Sequence, residues 1–308
     1  MGLDHLKIYV IIVTYKGRQW YDRCFTSLRE STIPVQTVVV DNASNDGTLE
    51  YIRENYPEIH LIESKENLGF GRANNIGMRY ALDQGCDFVF LLNQDAWVEA
   101  DAFDVMLSVA LSHPEYGILA PVHTTPDKTK LERGFVSFVK DNKYTDGTWF
   151  NDMYWGRMKE VYDTKYIHAA GWLLPRRVLE NVGGFDPIFI HYEEDDDYLN
   201  RVHYHGYKIG ICPQARMVHD CDRKYVYAKG KELLRHQQIL LVDFVDVNQE
   251  KSVREYCTYL LRKTLASIMR MQRRQMQLYW KDYLFFHQMQ GRIQESREKN
   301  RQKGSNWL

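Results

Sequence analysis

The 308-residue chain is 44% hydrophobic and 26% charged, a balance that excludes a disordered segment and suits one large domain with an appendage, or two domains. Its 40 Lys+Arg against 41 Asp+Glu leave a formal charge of −1, which argues against a protein built to coat nucleic acid. Five scattered cysteines (Cys24, Cys86, Cys212, Cys221 and Cys257) include no CxxC pair, so they suggest a reducing compartment and give no zinc-site spacing.

Four short apolar runs punctuate the first hundred residues: Ile8 to Val13, Thr37 to Val40, Ile59 to Ile62 and Phe88 to Leu92. They are nearly continuous and rich in β-branched or aromatic residues, which predicts strands buried on both faces of a parallel sheet. Between them apolar residues recur at helical spacing, first at Trp20, Cys24, Phe25 and Leu28. Leu49, Ile52 and Tyr56 mark a second helix, and Ala73, Ile76, Gly77, Tyr80 and Ala81 a third. This alternation predicts a doubly wound α/β unit. Such sheets bind ligands beyond the carboxyl ends of their strands. The segments there are Thr14 to Gly17, Asp41 to Thr48, Ser64 to Gly71 and Asn93 to Asp95. All four are polar and are expected to converge.

Residues 131–166 read as irregular and aromatic, with Phe135, Phe138, Tyr144, Trp149, Phe150, Tyr154, Trp155 and Tyr162. Most of these rings are expected to fill a core, and the remainder to offer flat apolar faces to a ligand. From about Ala228 the chain reads as helical to its end. Arg254 to Leu308 carries 12 Lys+Arg and 4 Asp+Glu, a local +8 that leaves −9 for the first 253 residues. Along 254–294 aromatic and aliphatic residues alternate with Arg262, Lys263, Arg270, Arg273, Arg274 and Lys281. Two readings stand level: an interfacial helix on anionic lipid, or a stripe packed against the body or a second subunit in a homodimer. The N-terminus lacks a signal-peptide layout, and no apolar run approaches the ~20 residues of a membrane span, so a cytoplasmic protein is expected.

Three constellations suit chemistry. Asn93-Gln94-Asp95 puts a carboxylate and a side-chain carbonyl at a strand end, a hard-oxygen site for Mg²⁺ or Mn²⁺ that also holds phosphates, although by itself it better fits a turn or helix cap. Glu193 to Asp197 sets five carboxylates in a row. Tyr198, Leu199 and Val202 anchor them as an amphipathic helix, and Asp197 can pair with Arg201 at i,i+4, leaving Glu194 or Asp195 as a general base. Crowding is expected to raise at least one of these carboxyls. His219 gains meaning only if it lies beside Asp95.

The ordered set Val13-Thr14-Tyr15, Val39 to Ser44, Asn67 to Gly77, Leu91 to Asp95, Gly171 to Arg177, Val182 to Asp186, Glu194 to Asp197 and Pro213 to His219 resembles family 2 glycosyltransferases of the GT-A fold, over about Lys7 to His219. Within the family it is most similar to rhamnosyltransferase-type members of polysaccharide and O-antigen pathways. The resemblance implies a GT-A domain over 1–227, a Rossmann-like and mostly parallel sheet, followed by a helical, basic extension over 228–308. It also implies a nucleoside-diphosphate sugar donor and a saccharide or lipid-linked acceptor met at the inner face of the plasma membrane. It places Thr14, Tyr15, Asp41, Asn67, Gly71, Arg72, Asn75, Asn93, Gln94 and Asp95 around the nucleotide sugar. Asn93-Gln94-Asp95 stands where the family carries its metal-binding DxD motif, with Asn93 replacing the first carboxylate. His219 matches the later histidine near the metal, and Asp195, with Glu194 beside it, matches the base of inverting members. The rivals are a nucleotidyltransferase, for which Tyr15-Lys16-Gly17-Arg18 is too thin a phosphate loop, and a sugar-nucleotide-binding protein without turnover.

Overall fold

A computed structural model of the chain describes residues 3–141, 143–190, 192–221 and 232–308. The first four strands are parallel. β1 (Ile8–Thr14), β2 (Gln36–Asp41), β3 (His60–Glu63) and β4 (Phe88–Asn93) lie in the order β3-β2-β1-β4, connected through α1 (Tyr21–Arg29), α2 (Thr48–Asn55) and α3 (Phe70–Asp83). β1 shows why the apolar runs are continuous. Ile8, Val10 and Ile12 enter a core shared with Cys24, Phe25 and Leu28 of α1, whereas Tyr9 and Ile11 point to the opposite face, where Met78 and Ala81 of α3 lie. Each such side chain taken from water contributes about 1.5–3 kcal/mol. The expectation of burial on both faces fails for β3, which closes the sheet edge and leaves His60 and Glu63 exposed. At Gly77 a Cβ would come within 2.3 Å of Ile11 Cγ2, so α3 packs against β1 at a distance only glycine permits.

The second half turns the sheet mixed. It adds β5 (Ala96–Val98), α4 (Ala102–Ser112), β6 (Tyr116–Thr124), α5 (Arg133–Val139), α6 (Trp149–Tyr154), β7 (Tyr162–Thr164), β8 (Gly171–Pro175), α7 (Arg176–Asn181), α8 (Glu194–Tyr204) and β9 (Lys208–His219). β8 joins β4 and β6 antiparallel, β9 runs parallel to β6, and β5 and β7 pair antiparallel with β9. Residues 131–166 therefore hold two short helices and a strand rather than irregular chain. Their aromatics divide: Phe135, Trp149 and Tyr162 are buried, whereas Tyr154 and Trp155 are exposed.

The expected division between residues 227 and 228 lies outside the described residues. Beyond it come α9 (Glu232–Val245), α10 (Val253–Met269) and α11 (Arg273–Arg301). Leu241, Phe244, Phe286 and Ile293 form one apolar cluster with Ile188 and Phe189, which precede α8. Asp186 Oδ2 accepts hydrogen bonds from Ser296 and Asn300. The chain is not helical to its end: after α11 it returns to the body, where the Gly184 N–H donates to the Asn306 carbonyl at 2.7 Å.

Candidate active site

Register brings the strand ends together. Thr14 is paired with Asp41 and Val13 with Asn93, so the loops after β1, β2 and β4 leave the sheet side by side. Thr14 Oγ1 donates to Asp41 Oδ1 at 3.0 Å, and the Ser44 N–H donates to Asp41 Oδ2 at 2.8 Å. Asn42 ties the second loop to the third: its Nδ2 donates to the Gly69 carbonyl and its Oδ1 accepts from the Leu68 N–H. Gly69 has φ +81°, and a Cβ there would lie 2.8 Å from the Ile190 carbonyl oxygen, so this position requires glycine. Asn67 Oδ1 accepts from the Gly69 N–H and shapes the same turn.

β5 decides the position of His219. Ala96 is the antiparallel partner of His219, which sets the imidazole beside the residue preceding Ala96. His219 Nε2 lies 3.6 Å from Asp95 Oδ1 and 3.4 Å from Asn93 Nδ2. The condition under which the sequence made His219 interesting is met. One carboxylate, one amide and one imidazole form an oxygen and nitrogen set that fits Mn²⁺ or Mg²⁺.

The acidic helix faces the same space. Tyr192 and Glu193 both take left-handed backbone conformations, a strained entry that turns Glu194 and Asp195 inward. Glu194 is 7% exposed and its Oε2 has no hydrogen-bond partner among the described residues; burial, with Asp195 and Glu193 nearby, pushes its carboxyl up to about 7. Burial also raises Asp195, against the pull of His168 and of the Asp196 and Ala169 N–H groups. Tyr166 Oη donates to Asp195 Oδ2 at 3.4 Å. A cavity of about 800 Å³ opens between these groups. Tyr15, Asn67, Asn93, Gln94, Asp95, Glu194, Asp195 and His219 all line it, together with Glu132, Arg133, Ser137, His168 and Tyr192.

Several expected nucleotide residues have their side chains committed elsewhere. The Gln94 amide accepts from the Tyr15 N–H and donates to the Tyr15 carbonyl, so it latches two loops together. Asn75 donates to the Phe185 and Trp307 carbonyls and accepts from the Phe185 N–H, and so holds the turn before α8. Arg72 donates to the Pro187 carbonyl in that same turn. The Asp41 carboxylate, fully buried, is held by Thr14 and Ser44. Gly71 packs on Phe185, and a Cβ there would lie 3.6 Å from Glu194 Cγ. Sequence reasoning missed Asn42, Tyr166, His168 and Glu132, which carry no local pattern and matter only through contacts made across the fold.

A four-stranded parallel unit with polar strand ends, extended by a mixed half that supplies an imidazole and an acidic helix, defines the GT-A architecture of sugar-transferring enzymes. The model of "Glycosyl transferase family 2" matches residues 9–183, and the chain belongs to that family. It is 28% identical over 229 residues to an N-acetylglucosaminyl-diphospho-decaprenol L-rhamnosyltransferase of Mycobacterium tuberculosis, covering 68% of this chain and 75% of the relative. It is 27% identical over 234 residues to the dTDP-rhamnosyl transferase RfbF of Shigella flexneri, covering 75% of each. In fold it is similar to the mannosyltransferase PcManGT of Pyrobaculum calidifontis in complex with GDP-Man and Mn²⁺. The TM-score is 0.55 at 20% identity, over 96% of this chain and 86% of that one.

Proposed function

We propose that this chain is an inverting, divalent-cation-dependent glycosyltransferase that moves a rhamnosyl-type sugar from a nucleoside-diphosphate donor to a hydroxyl of a saccharide or lipid-linked saccharide. The carrying observation is that Asp95 and the Glu194–Asp195 pair, about a hundred residues apart in sequence, line one cavity together with His219. The two rhamnosyltransferase relatives support the choice of sugar, and one of them is named for a lipid-linked acceptor.

In this reading the strand-end loops hold the nucleotide, and Asp95 faces the diphosphate. Asp95, with His219 beside it, would hold a Mg²⁺ or Mn²⁺, which when bound would supply positive charge opposite the diphosphate. His219, 3.6 Å from Asp95, joins that carboxylate as a ligand or fixes its orientation. Asp195 takes the proton of the acceptor hydroxyl as that oxygen bonds to the anomeric carbon from the face opposite the diphosphate. The bond from that carbon to the diphosphate oxygen breaks, and the nucleoside diphosphate leaves with the electron pair. Holding donor and acceptor in one cavity supplies much of the remaining acceleration.

The outer part of the α10–α11 hairpin extends the proposal. Leu265, Ile268, Met269 and Met271 are exposed there among Arg262, Lys263, Arg270, Arg273 and Arg274. An apolar and cationic tip complements an anionic lipid surface, where a lipid-linked acceptor resides. No described helix is long and apolar enough to cross a membrane.

The test is turnover of dTDP-rhamnose with Mn²⁺ and a saccharide acceptor, read as free nucleoside diphosphate and as the product's anomeric configuration. Inverted product supports the proposal. Retained configuration removes the inverting step, pyrophosphate release points to a nucleotidyltransferase, and donor binding without turnover leaves a sugar-nucleotide-binding protein.

A further inference from the structure

Behind Asp95, four side chains from separate parts of the chain meet: His123 of β6, Glu132 immediately before α5, His168 before β8 and His219 at the end of β9. One potential ligand atom from each lies within 4.8 Å of the others. A tetrahedral zinc site with bonds of about 2.0–2.1 Å spaces its donors roughly 3.3 Å apart, so small side-chain rotations close the set.

As a plain core the cluster is costly. His123 is fully buried, and among the described residues neither of its ring nitrogens has a hydrogen-bond partner, nor does the buried Nδ1 of His219. Each such orphan costs about 1–3 kcal/mol. A contact between His168 Nε2 and Glu132 Oε2, at 3.5 Å, accounts for two of the four groups and leaves His123 unexplained. The Gly134 and Phe135 N–H groups each donate to the Glu132 carboxylate at 2.6 Å and hold it in place. Imidazole nitrogens and one carboxylate converging on a point form a cation's donor set.

We propose that His123, Glu132, His168 and His219 bind one transition-metal ion of the Zn²⁺ class in the nucleotide-free protein, at a site separate from the diphosphate ion at Asp95. Three nitrogen donors favour Zn²⁺, Co²⁺ or Ni²⁺ over Mg²⁺, which takes oxygen. In this nucleotide-free state His219 serves the ion through Nδ1 and turns a protonated Nε2 to Asp95, the carboxylate–histidine–metal relation that fixes a ligand's tautomer. The ion thereby sets the orientation of the rim carboxylate that faces the donor. It enters from the cavity, whose wall includes Glu132, His168 and His219.

Metal-stripped full-length protein, without nucleotide, is titrated with Zn²⁺ and with Mg²⁺ by calorimetry, and Co²⁺ loading is followed by visible absorption. The expected result is one equivalent of Zn²⁺, no Mg²⁺ and a tetrahedral Co²⁺ spectrum. His123→Phe and His168→Gln lower Zn²⁺ affinity at least about tenfold and lose the spectrum, while Asp95→Ala keeps one equivalent. His168 lies at the cavity wall, so His168→Gln decides the matter if His123→Phe does not fold. Wild-type protein that binds no stoichiometric Zn²⁺ overturns the proposal, as does undiminished binding in His168→Gln. Loss of Zn²⁺ in Asp95→Ala overturns the separateness of the two sites. No nucleotide is present, so this result stands apart from the sugar-transfer reading.

Discussion

Arg201 Nε lies 2.9 Å from Asp197 Oδ2 within α8, and both side chains are 1% exposed. The remaining guanidinium nitrogens donate to the Val182 and Gly184 carbonyls, so one buried cation fastens the acidic helix to the glycine turn before it. Arg201→Met leaves the Asp197 carboxylate buried without its partner and should cost about 3–5 kcal/mol in urea unfolding. The double replacement Asp197→Leu with Arg201→Met should recover much of that loss. Equal losses in the single and double variants would refute this account.

Fastening Asp197 leaves Glu194 and Asp195 to face the cavity. Asp195→Asn should lower turnover by ~10²–10⁴-fold while donor affinity stays nearly unchanged, because proton transfer is removed and ground-state binding is not. Steady-state rates and calorimetric donor binding separate the two effects. If affinity falls together with rate, Asp195 binds donor, and Glu194→Gln becomes the variant expected to lose turnover alone.

Glu194 makes stability depend on pH. Burial and the neighbouring acids raise its carboxyl from 4.5 to about 7 in the folded protein. Between those values the native state holds a proton that the unfolded chain has released, so stability falls as pH rises through this window and levels off above it. The size is on the order of 3 kcal/mol. Glu194→Gln should unfold at higher temperature than wild type at pH 8 and match it near pH 4. A wild-type Tm that climbs from pH 5 to 7 while the Gln variant stays flat would contradict the assignment.

The rim carboxylate is tested by donor binding with and without Mn²⁺. Asp95→Ala should abolish the Mn²⁺-dependent part of donor affinity. Asn93→Asp should keep or strengthen it, since it places a second carboxylate beside His219. Wild-type affinity in Asp95→Ala would remove the ion from this position.

Co-sedimentation with anionic vesicles tests the hairpin tip. Wild-type protein should bind at low salt and be released at high salt, and the pair Met269→Asp with Met271→Asp should stay in the supernatant with its fold intact. These two residues are 86% and 90% exposed, so their replacement disturbs no core. Vesicle-independent self-association that the Asp pair abolishes would instead make the tip a dimer contact.

Periodicity by itself determined the parallel half of this protein. Runs such as Ile8 to Val13 must be buried on both faces, and the polar residues after each run then sit at one sheet edge, because register in a parallel sheet aligns strand ends. The Asp197–Arg201 pair was legible for a similar reason, since four residues is one helical turn. Only tertiary structure decided what depends on distant pairings. His219 reaches Asp95 because β5 and β9 pair antiparallel, and no local spacing encodes that register. Asn75 and Gln94, polar residues in the right motifs, are consumed by backbone groups 110 and 79 positions away. The convergence of His123, Glu132 and His168 has no sequence signature, because β6, the start of α5 and the segment before β8 meet only once the sheet has turned antiparallel. The apolar stripe of the basic extension was ambiguous because a periodic face states only that it must be covered. The fold covers its inner part with Ile188 and Phe189 and leaves the tip bare.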